Sequence, residues 1–134
     1  MSLLPLAGYR RADDAVLLGP AGGVGAAIFF AQAARLARAL PGGGLVINVC
    51  ETRHGFMLGF AAALMRGQVS LLPPARGREA REALQRRYAG AYVISETAAG
   101  EAGAFALGAF LEDRTAGALE IPGIDSNAAV SLIT

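Results

Sequence analysis

The sequence of 134 residues contains no lysine, because all twelve of its Lys and Arg residues are arginine. A P-loop nucleotide site and a Schiff-base site for pyridoxal phosphate both need a lysine amine, so the sequence excludes both. There is one cysteine, Cys50, which excludes an intrachain disulfide and a zinc site built from several thiolates. The lone cysteine also points to a reducing, cytoplasmic setting.

Charged residues are scarce as well. They make up 17% of the sequence against 54% hydrophobic residues, and the formal net charge is +1. Disorder needs few apolar residues and a large charge imbalance, so this composition excludes a disordered chain. The near-neutral balance excludes a broadly cationic nucleic-acid binder. The length predicts one unit, residues 1–134, as a single domain or a subdomain fragment.

One long uncharged stretch, residues 15–34, raises the question of a membrane span. Its many glycines favour a turn over a continuous spanning helix. Arg10 and Arg11 are similar to a twin-arginine export signal, but Asp13 and Asp14 stand where the apolar segment of that signal begins. We therefore predict a cytoplasmic protein without membrane contact.

After a loose N-terminus, residues 1–14, the sequence alternates between helix and strand patterns. Phe29, Leu36 and Leu40 recur at helical spacing, whereas residues 45–49 are apolar without alternation, as in a strand buried on both faces. This order predicts an α/β fold of three layers, α/β/α, with a mostly parallel sheet built of βαβ units. The predicted helices cover residues 26–40, 53–66 and 77–88, and the predicted strands cover residues 15–18, 45–49, 69–72 and 91–95.

Local signals refine these boundaries. Thr52 is a predicted N-cap, Gly67 a predicted helix end, and Glu82 and Arg86 a predicted i, i+4 ion pair. Beyond residue 95 the alternation stops. We expect loops at residues 97–103 and 114–125 and strands at residues 105–111 and 128–134. The last strand comes without a covering helix, which suggests that the chain is part of something larger.

The glycine cluster at residues 19–25 is the first candidate site, because it lies between a strand and a helix, where phosphate is commonly bound. The pattern G-x-G-x-x-G fails, since Ile28 stands at the place of its last glycine. A plain strand-to-helix turn is the favoured interpretation, and a nucleotide site at Gly23 and Gly25 stays an alternative.

Cys50, Glu51 and His54 form the second candidate, at the carboxyl end of a predicted buried strand. Open α/β sheets bind ligands at that edge, and a Cys/His pair is a known nucleophilic arrangement. Nothing nearby completes a triad, so a buried cysteine beside a helix start is the favoured interpretation.

The third candidate is a group of five arginines within residues 76–87. It could contact phosphate or RNA, but acidic residues alternate with the arginines, which favours a solvated helix face. Glu112, Asp113 and Asp125 lack metal-ligand spacing, so no metal site is predicted.

Three stretches resemble the opening portion of AMP-forming acyl and aryl ligases, the adenylate-forming superfamily that includes acyl-CoA synthetases. Residues 29–40 resemble an early helix of that family. Residues 60–74 resemble its helix–glycine–strand–proline segment, with the first proline one place later than usual. Residues 125–134 resemble the strand that leads into its phosphate loop, of which Thr134 is the first threonine. The likeness spans most of residues 26–98 and then 125–134.

The resemblance implies an AMP-dependent synthetase/ligase. Such an enzyme activates an aryl or fatty acid as its acyl-adenylate with ATP and Mg²⁺, and then transfers the acyl group to the thiol of CoA or an acyl carrier protein. The family's catalytic motifs follow Thr134, so no catalytic residue is assigned here, and we expect this chain alone to be inactive and to bind no cofactor. Two alternatives remain: a non-catalytic α/β interaction module and an unrelated nucleotide-binding domain. Uncovered apolar surface also predicts a homodimer.

Overall fold

The structure, a computed structural model, describes residues 3–5, 15–17, 24–73, 75, 77–97, 104–115, 123–125 and 130–132. Within them the chain forms four helices and nine strands. The helices are α1 (Ala26–Ala39), α2 (Arg53–Met65), α3 (Arg78–Arg87) and α4 (Gly108–Glu112). The strands are β1 (Leu3–Pro5), β2 (Ala15–Leu17), β3 (Val24–Gly25), β4 (Leu45–Asn48), β5 (Val69–Leu72), β6 (Tyr92–Ser95), β7 (Ala104–Ala106), β8 (Gly123–Asp125) and β9 (Val130–Leu132).

A five-stranded sheet in the order β7–β6–β4–β5–β9 forms the centre of the fold. All four of its pairings are parallel, and Ile47 of β4 lies opposite Leu71 of β5 and Val93 of β6. Helix α2 connects β4 to its neighbour β5, and α3 connects β5 back to β6 on the far side of β4. The predicted α/β fold with a mostly parallel sheet of βαβ units is therefore confirmed.

Helices cover both faces of this sheet. On one face Val46 and Ile94 of the sheet pack with Leu36 of α1 and Leu58 of α2 in one buried cluster. On the other face, Ile47, Leu71 and Val93 pack with Leu84 of α3. Successive residues of a strand point to opposite faces, so strands buried on both sides are apolar without alternation, as residues 45–49 indicated. The three layers are α1 and α2, the sheet, and α3.

The ends of the helices follow the local signals. The Thr52 hydroxyl accepts a hydrogen bond from the Gly55 N–H at 3.0 Å, so Thr52 is the N-cap of α2 as predicted. Gly67 follows α2 with a φ of +67°, a left-handed conformation that favours glycine. The guanidinium of Arg66 donates to the carbonyl oxygens of Ala37 and Leu40 at the end of α1, which satisfies acceptors that a helix leaves open there.

Several predictions for the outer parts of the chain are wrong. Residues 105–111 form the short strand β7 followed by helix α4, because the Leu107 and Gly108 N–H groups bond to the carbonyls of Ser95 and Glu96 and the chain then turns. A Cβ added at Gly108 would lie 2.7 Å from the backbone carbonyl oxygen of Glu96. Only glycine therefore allows the backbone at position 108 to approach that carbonyl so closely. The loop predicted at residues 114–125 contains strand β8.

The N-terminal region also contains structure that the sequence did not indicate. Within residues 1–14, strand β1 pairs antiparallel with β8. The strand predicted at residues 15–18 is present as β2, which pairs antiparallel with β3, so Val24 and Gly25 at the end of the glycine cluster form a strand before α1 begins. Of the final predicted strand, residues 130–132 are described, and they lie parallel to β5. None of the helices in the described part of the chain is long and apolar enough to cross a membrane.

Candidate functional site

The topology of the sheet creates a cleft at the carboxyl ends of β4 and β5. The chain leaves β4 toward α2 on one face and leaves β5 toward α3 on the other, so the two connections diverge. In open α/β sheets such a divergence is the place where ligands bind. The cleft has a volume of about 570 Å³, and it is lined by residues 48–51 and Phe56 on one side and by Leu72, Pro73 and the start of α3 on the other.

Cys50 lines this cleft, but its thiol is a poor nucleophile. The thiol is half-buried and points its sulfur toward the Ile94 carbonyl oxygen at 3.9 Å. Burial, together with the negative charge of Glu96, raises the pKa of Cys50 to about 12. At neutral pH the group is therefore a neutral thiol, and the reactive thiolate is scarce.

His54 has a different set of partners. Its Nε2 lies 2.8 Å from the side-chain oxygen of Gln32, whose amide nitrogen donates to the carbonyls of Leu111 and Asp113. Carbonyls only accept, so the Gln32 oxygen must face His54, and His54 Nε2 carries the proton. Burial and the charge of Arg114 lower the pKa of His54, which keeps the ring neutral.

The structure therefore does not support a nucleophilic pair of Cys50 and His54. The cysteine bonds toward β6 and the histidine toward α1, so neither activates the other in this arrangement. The favoured interpretation, a cysteine beside a helix start, agrees with the structure, although the cysteine is half-buried rather than buried.

Glu96, which holds the loop beside the cleft, is a residue that the sequence analysis missed. Its carboxylate accepts hydrogen bonds from the Glu51 N–H at 3.0 Å, the Thr52 N–H at 3.1 Å and the Thr52 hydroxyl at 2.8 Å. Burial alone would raise the pKa of Glu96, but these hydrogen bonds outweigh it and lower the pKa. The carboxylate thus joins the end of β6 to the loop before α2. Its place directly after a buried strand was the signal that could have identified it.

The arginines of α3 divide into two groups. Arg86 and Arg87 are exposed, as expected of a solvated helix face, and Arg87 lies over the Tyr88 ring at 5.3 Å. Arg78 and Arg81 instead line the cleft, and Arg81 is half-buried. The predicted partner of Glu82 also differs, since its carboxylate lies 3.8 Å from Arg78.

The remaining predicted site residues lie elsewhere. Thr134 and most of the glycine cluster are outside the described residues, while Gly25 is the N-cap of α1. Asp113 forms an ion pair with Arg35 at 3.3 Å, and Glu112 is exposed on α4. Among the residues that the structure describes, no group of three His, Cys, Asp or Glu side chains could hold a metal ion. Cys50 and His54, the predicted nucleophile and base, are therefore not paired with each other.

Comparison with known proteins gives a likeness in structure alone. No family model matches the sequence, and no curated protein matches it. O-succinylbenzoate coenzyme A synthetase from Bacillus subtilis, solved in complex with AMP, matches 87% of this chain with a TM-score of 0.63 at 14% identity. The same enzyme in complex with ATP and magnesium ion matches 80% of the chain with a TM-score of 0.56 at 13% identity. The chain spans about a third of the length of these structures, 34% and 33%, and shares the fold of that part.

Proposed function

We propose that this chain is the opening part of an AMP-forming acid–thiol ligase, in which it supplies scaffold. The observation that carries the proposal is the structural match to an O-succinylbenzoate coenzyme A synthetase over 87% of the chain. The sequence resemblance of residues 26–98 and 125–134 to adenylate-forming enzymes supports it independently, because it rests on the order and spacing of motifs.

The reaction we propose for the complete enzyme has two steps. The carboxylate of the acid attacks the α-phosphate of ATP and releases pyrophosphate, and a thiol then displaces AMP from the acyl-adenylate. Stabilising the charge on the transferring phosphoryl group needs backbone donors, cations and Mg²⁺. The described residues do not fit Mg²⁺, because they contain no acidic cluster, so no step is routed through them. We place ATP binding after Thr134, the proposed first residue of the phosphate loop.

The chain alone is accordingly proposed to be inactive. The thiol of Cys50 is protonated, His54 is neutral and bonded to Gln32, and the chain has no lysine. The substrate is proposed to be an aryl or fatty acid, and the acceptor the thiol of CoA or an acyl carrier protein. The name of the matching synthetase adds o-succinylbenzoate, an aryl acid, to the acids that should be tested.

ATP–pyrophosphate exchange tests the proposal. The complete gene product and the 134-residue chain would be assayed side by side with benzoate, o-succinylbenzoate and a series of fatty acids. We expect acid-dependent exchange from the complete product and none from the chain. Exchange by the purified chain alone, or a native reading frame that ends at Thr134, would contradict the proposal.

A non-catalytic interaction module is the second candidate, and one observation favours it. β7 is a terminal strand of the five-stranded sheet, with no further strand beyond it in the described part of the chain. The outer edge of such a strand can pair with a strand of another chain, so a homodimer is the proposed assembly. Sedimentation at increasing concentration would show a dimer if this is right and a monomer throughout if it is wrong.

A further inference from the structure

We propose that Glu96 acts as a latch, whose side-chain carboxylate holds the start of α2, residues 51–55, closed against the end of β6. Releasing the carboxylate opens this segment while the central sheet stays folded. The segment continues the cleft wall formed by residues 48–51, so the latch sets the position of that wall. The contacts involved all lie within the chain, and the latch therefore does not depend on the proposed function.

The backbone of Glu96 gives the latch a fixed base. Glu96 directly follows β6, the neighbour of β4 in the sheet. Its carbonyl oxygen accepts a hydrogen bond from the Gly108 N–H at 3.0 Å, and the Ser95 carbonyl accepts one from the Leu107 N–H at 2.9 Å. These bonds do not involve the Glu96 side chain, so they remain when only the carboxylate is released.

The carboxylate uses both of its oxygens on the loop before α2. Oε1 accepts from the Glu51 N–H at 3.0 Å, while Oε2 accepts from the Thr52 N–H at 3.1 Å and from the Thr52 hydroxyl at 2.8 Å. The same hydroxyl accepts from the Gly55 N–H at 3.0 Å, which carries the contact into the first turn of α2. Burial raises the pKa of Glu96 and these hydrogen bonds lower it, with a net shift downward from 4.5, so the group is ionised at neutral pH.

Little else holds this segment closed. In the described part of the chain, every hydrogen bond from residues 51 and 52 to another element goes to Glu96. The side chains of residues 51–53 are exposed, so apolar burial contributes little there. His54 adds one bond, to Gln32 of α1, between neutral groups. Hydrogen bonds to an ionised group are about twice as strong as neutral ones, so the three bonds of Glu96 dominate.

Gly55 shows how closely the carboxylate fits against α2. A Cβ added at this position would overlap Oε2 of Glu96 and would lie 2.9 Å from the Thr52 hydroxyl oxygen. Glycine lowers the stability of a helix relative to alanine, but here it leaves room for the carboxylate. Replacing Gly55 by alanine therefore displaces the carboxylate without removing its charge.

Native-state amide hydrogen exchange of the 134-residue chain tests the latch, because the Glu51 and Thr52 N–H groups are themselves its donors. We expect these amides and that of Gly55 to exchange through a local opening, which depends little on urea. The amides of β4 should instead show the strong urea dependence of global unfolding. Equal rates and equal urea dependence in both groups would overturn the proposal, since the segment would then open only with the sheet.

Two variants release the latch by different means. Glu96→Gln should speed exchange at Thr52 about tenfold, because charge-assisted hydrogen bonds become neutral ones. Gly55→Ala should speed it by a similar factor although the charge remains. Glu112→Gln, which removes an exposed carboxylate from α4, is the matched control and should change the rate less than about twofold. Unchanged exchange in Glu96→Gln would refute the latch.

The double variant decides whether both changes act on one contact. A latch can be released only once, so Glu96→Gln should alter exchange at Thr52 less than about twofold in the Gly55→Ala background. A full effect in that background would show independent roles and would count against the proposal. Glu96→Asp keeps the charge on a side chain one methylene shorter and should also open the segment. Protection equal to the parent's in Glu96→Asp would contradict a contact set by reach.

Discussion

The two faces of the central sheet are covered very unequally. Among the described residues, the cluster on the α1 and α2 face contains sixteen buried apolar residues, whereas the cluster on the α3 face contains four. The α1 and α2 face also contains a buried polar network. Gln68 donates to the carbonyls of Pro41 and Gly43 and accepts from the Tyr92 hydroxyl at 2.5 Å. One helix on the other face contributes a single fully buried side chain, Leu84.

This difference separates a closely packed face from an open edge of the sheet. Close packing and the hydrogen bonds of Gln68 hold β4 and β6 against α1 and α2, so that face resists change. Because α3 alone covers the other face, fewer apolar side chains are buried there. The carboxyl edge of β4 and β5, where the cleft lies, stays open.

The largest effect is expected from truncating the core on the two faces. Leu36 and Leu84 are 0% and 3% exposed, so replacement of either by alanine removes buried methyl groups from its face of the sheet. Leu36→Ala should lower the free energy of unfolding by about 4 kcal/mol, because its cavity is enclosed by a large cluster. Leu84→Ala should cost about 2 kcal/mol, because its thin surroundings can collapse. Urea unfolding measures the free energy of unfolding of both variants. Equal losses in the two variants would contradict the difference in packing between the two faces.

Gln68→Leu tests the polar network. The side chain is 1% exposed, and its loss leaves the Pro41 and Gly43 carbonyls and the Tyr92 hydroxyl without their partner. We expect a loss of about 3 kcal/mol in the free energy of unfolding. Gln85→Leu, at a half-buried position of α3, is the matched control and should change it by less than about 0.5 kcal/mol. A Gln68→Leu variant as stable as this control would show that the network contributes nothing.

Gly59→Ala tests how closely α2 approaches the sheet. A Cβ at this position would lie 2.5 Å from the Ile94 side chain and 3.3 Å from the Asn48 amide nitrogen. We expect the unfolding free energy to fall by about 2 kcal/mol through overpacking. Gly42→Ala is the control, since a Cβ there meets nothing within 4 Å, and its thermal midpoint should stay near that of the parent. An unchanged midpoint for Gly59→Ala would mean that the helix can move outward freely.

The smallest effect concerns pH. The pKa of Glu96 is lowered in the folded chain from 4.5, so its hydrogen bonds stabilise the fold above that pH, and this stabilisation is lost as the pH falls through the folded value. Glu96→Gln should therefore destabilise the chain at pH 6 and match the parent at low pH. The unfolding free energy, measured by urea unfolding at each pH, is the quantity to compare. Glu112→Gln, an exposed change on α4, is the control, and its curve of unfolding free energy against pH should follow that of the parent. Parallel curves for Glu96→Gln as well would contradict the assignment.

The segment from α1 to β6 was predictable from the sequence because its signals are local. Helical spacing, the Thr52 cap and Gly67 predicted the ends of each helix and strand in this segment to within a few residues. The pairing of β1 with β8 was not predictable, because three-residue strands from distant parts of the chain carry no periodicity. The same applies to the site. The edge containing Cys50 and His54 was identified, but their partners, Ile94 and Gln32, come from other elements.

Native-state amide hydrogen exchange tests most directly the central claim that the α1 and α2 face carries the stability. The account predicts that the slowest amides lie in α2, β4 and β6 and exchange only by global unfolding, while those of α3 exchange faster through a separate local opening. Amides of α3 that exchange as slowly as those of α2, with the same dependence on denaturant, would contradict it.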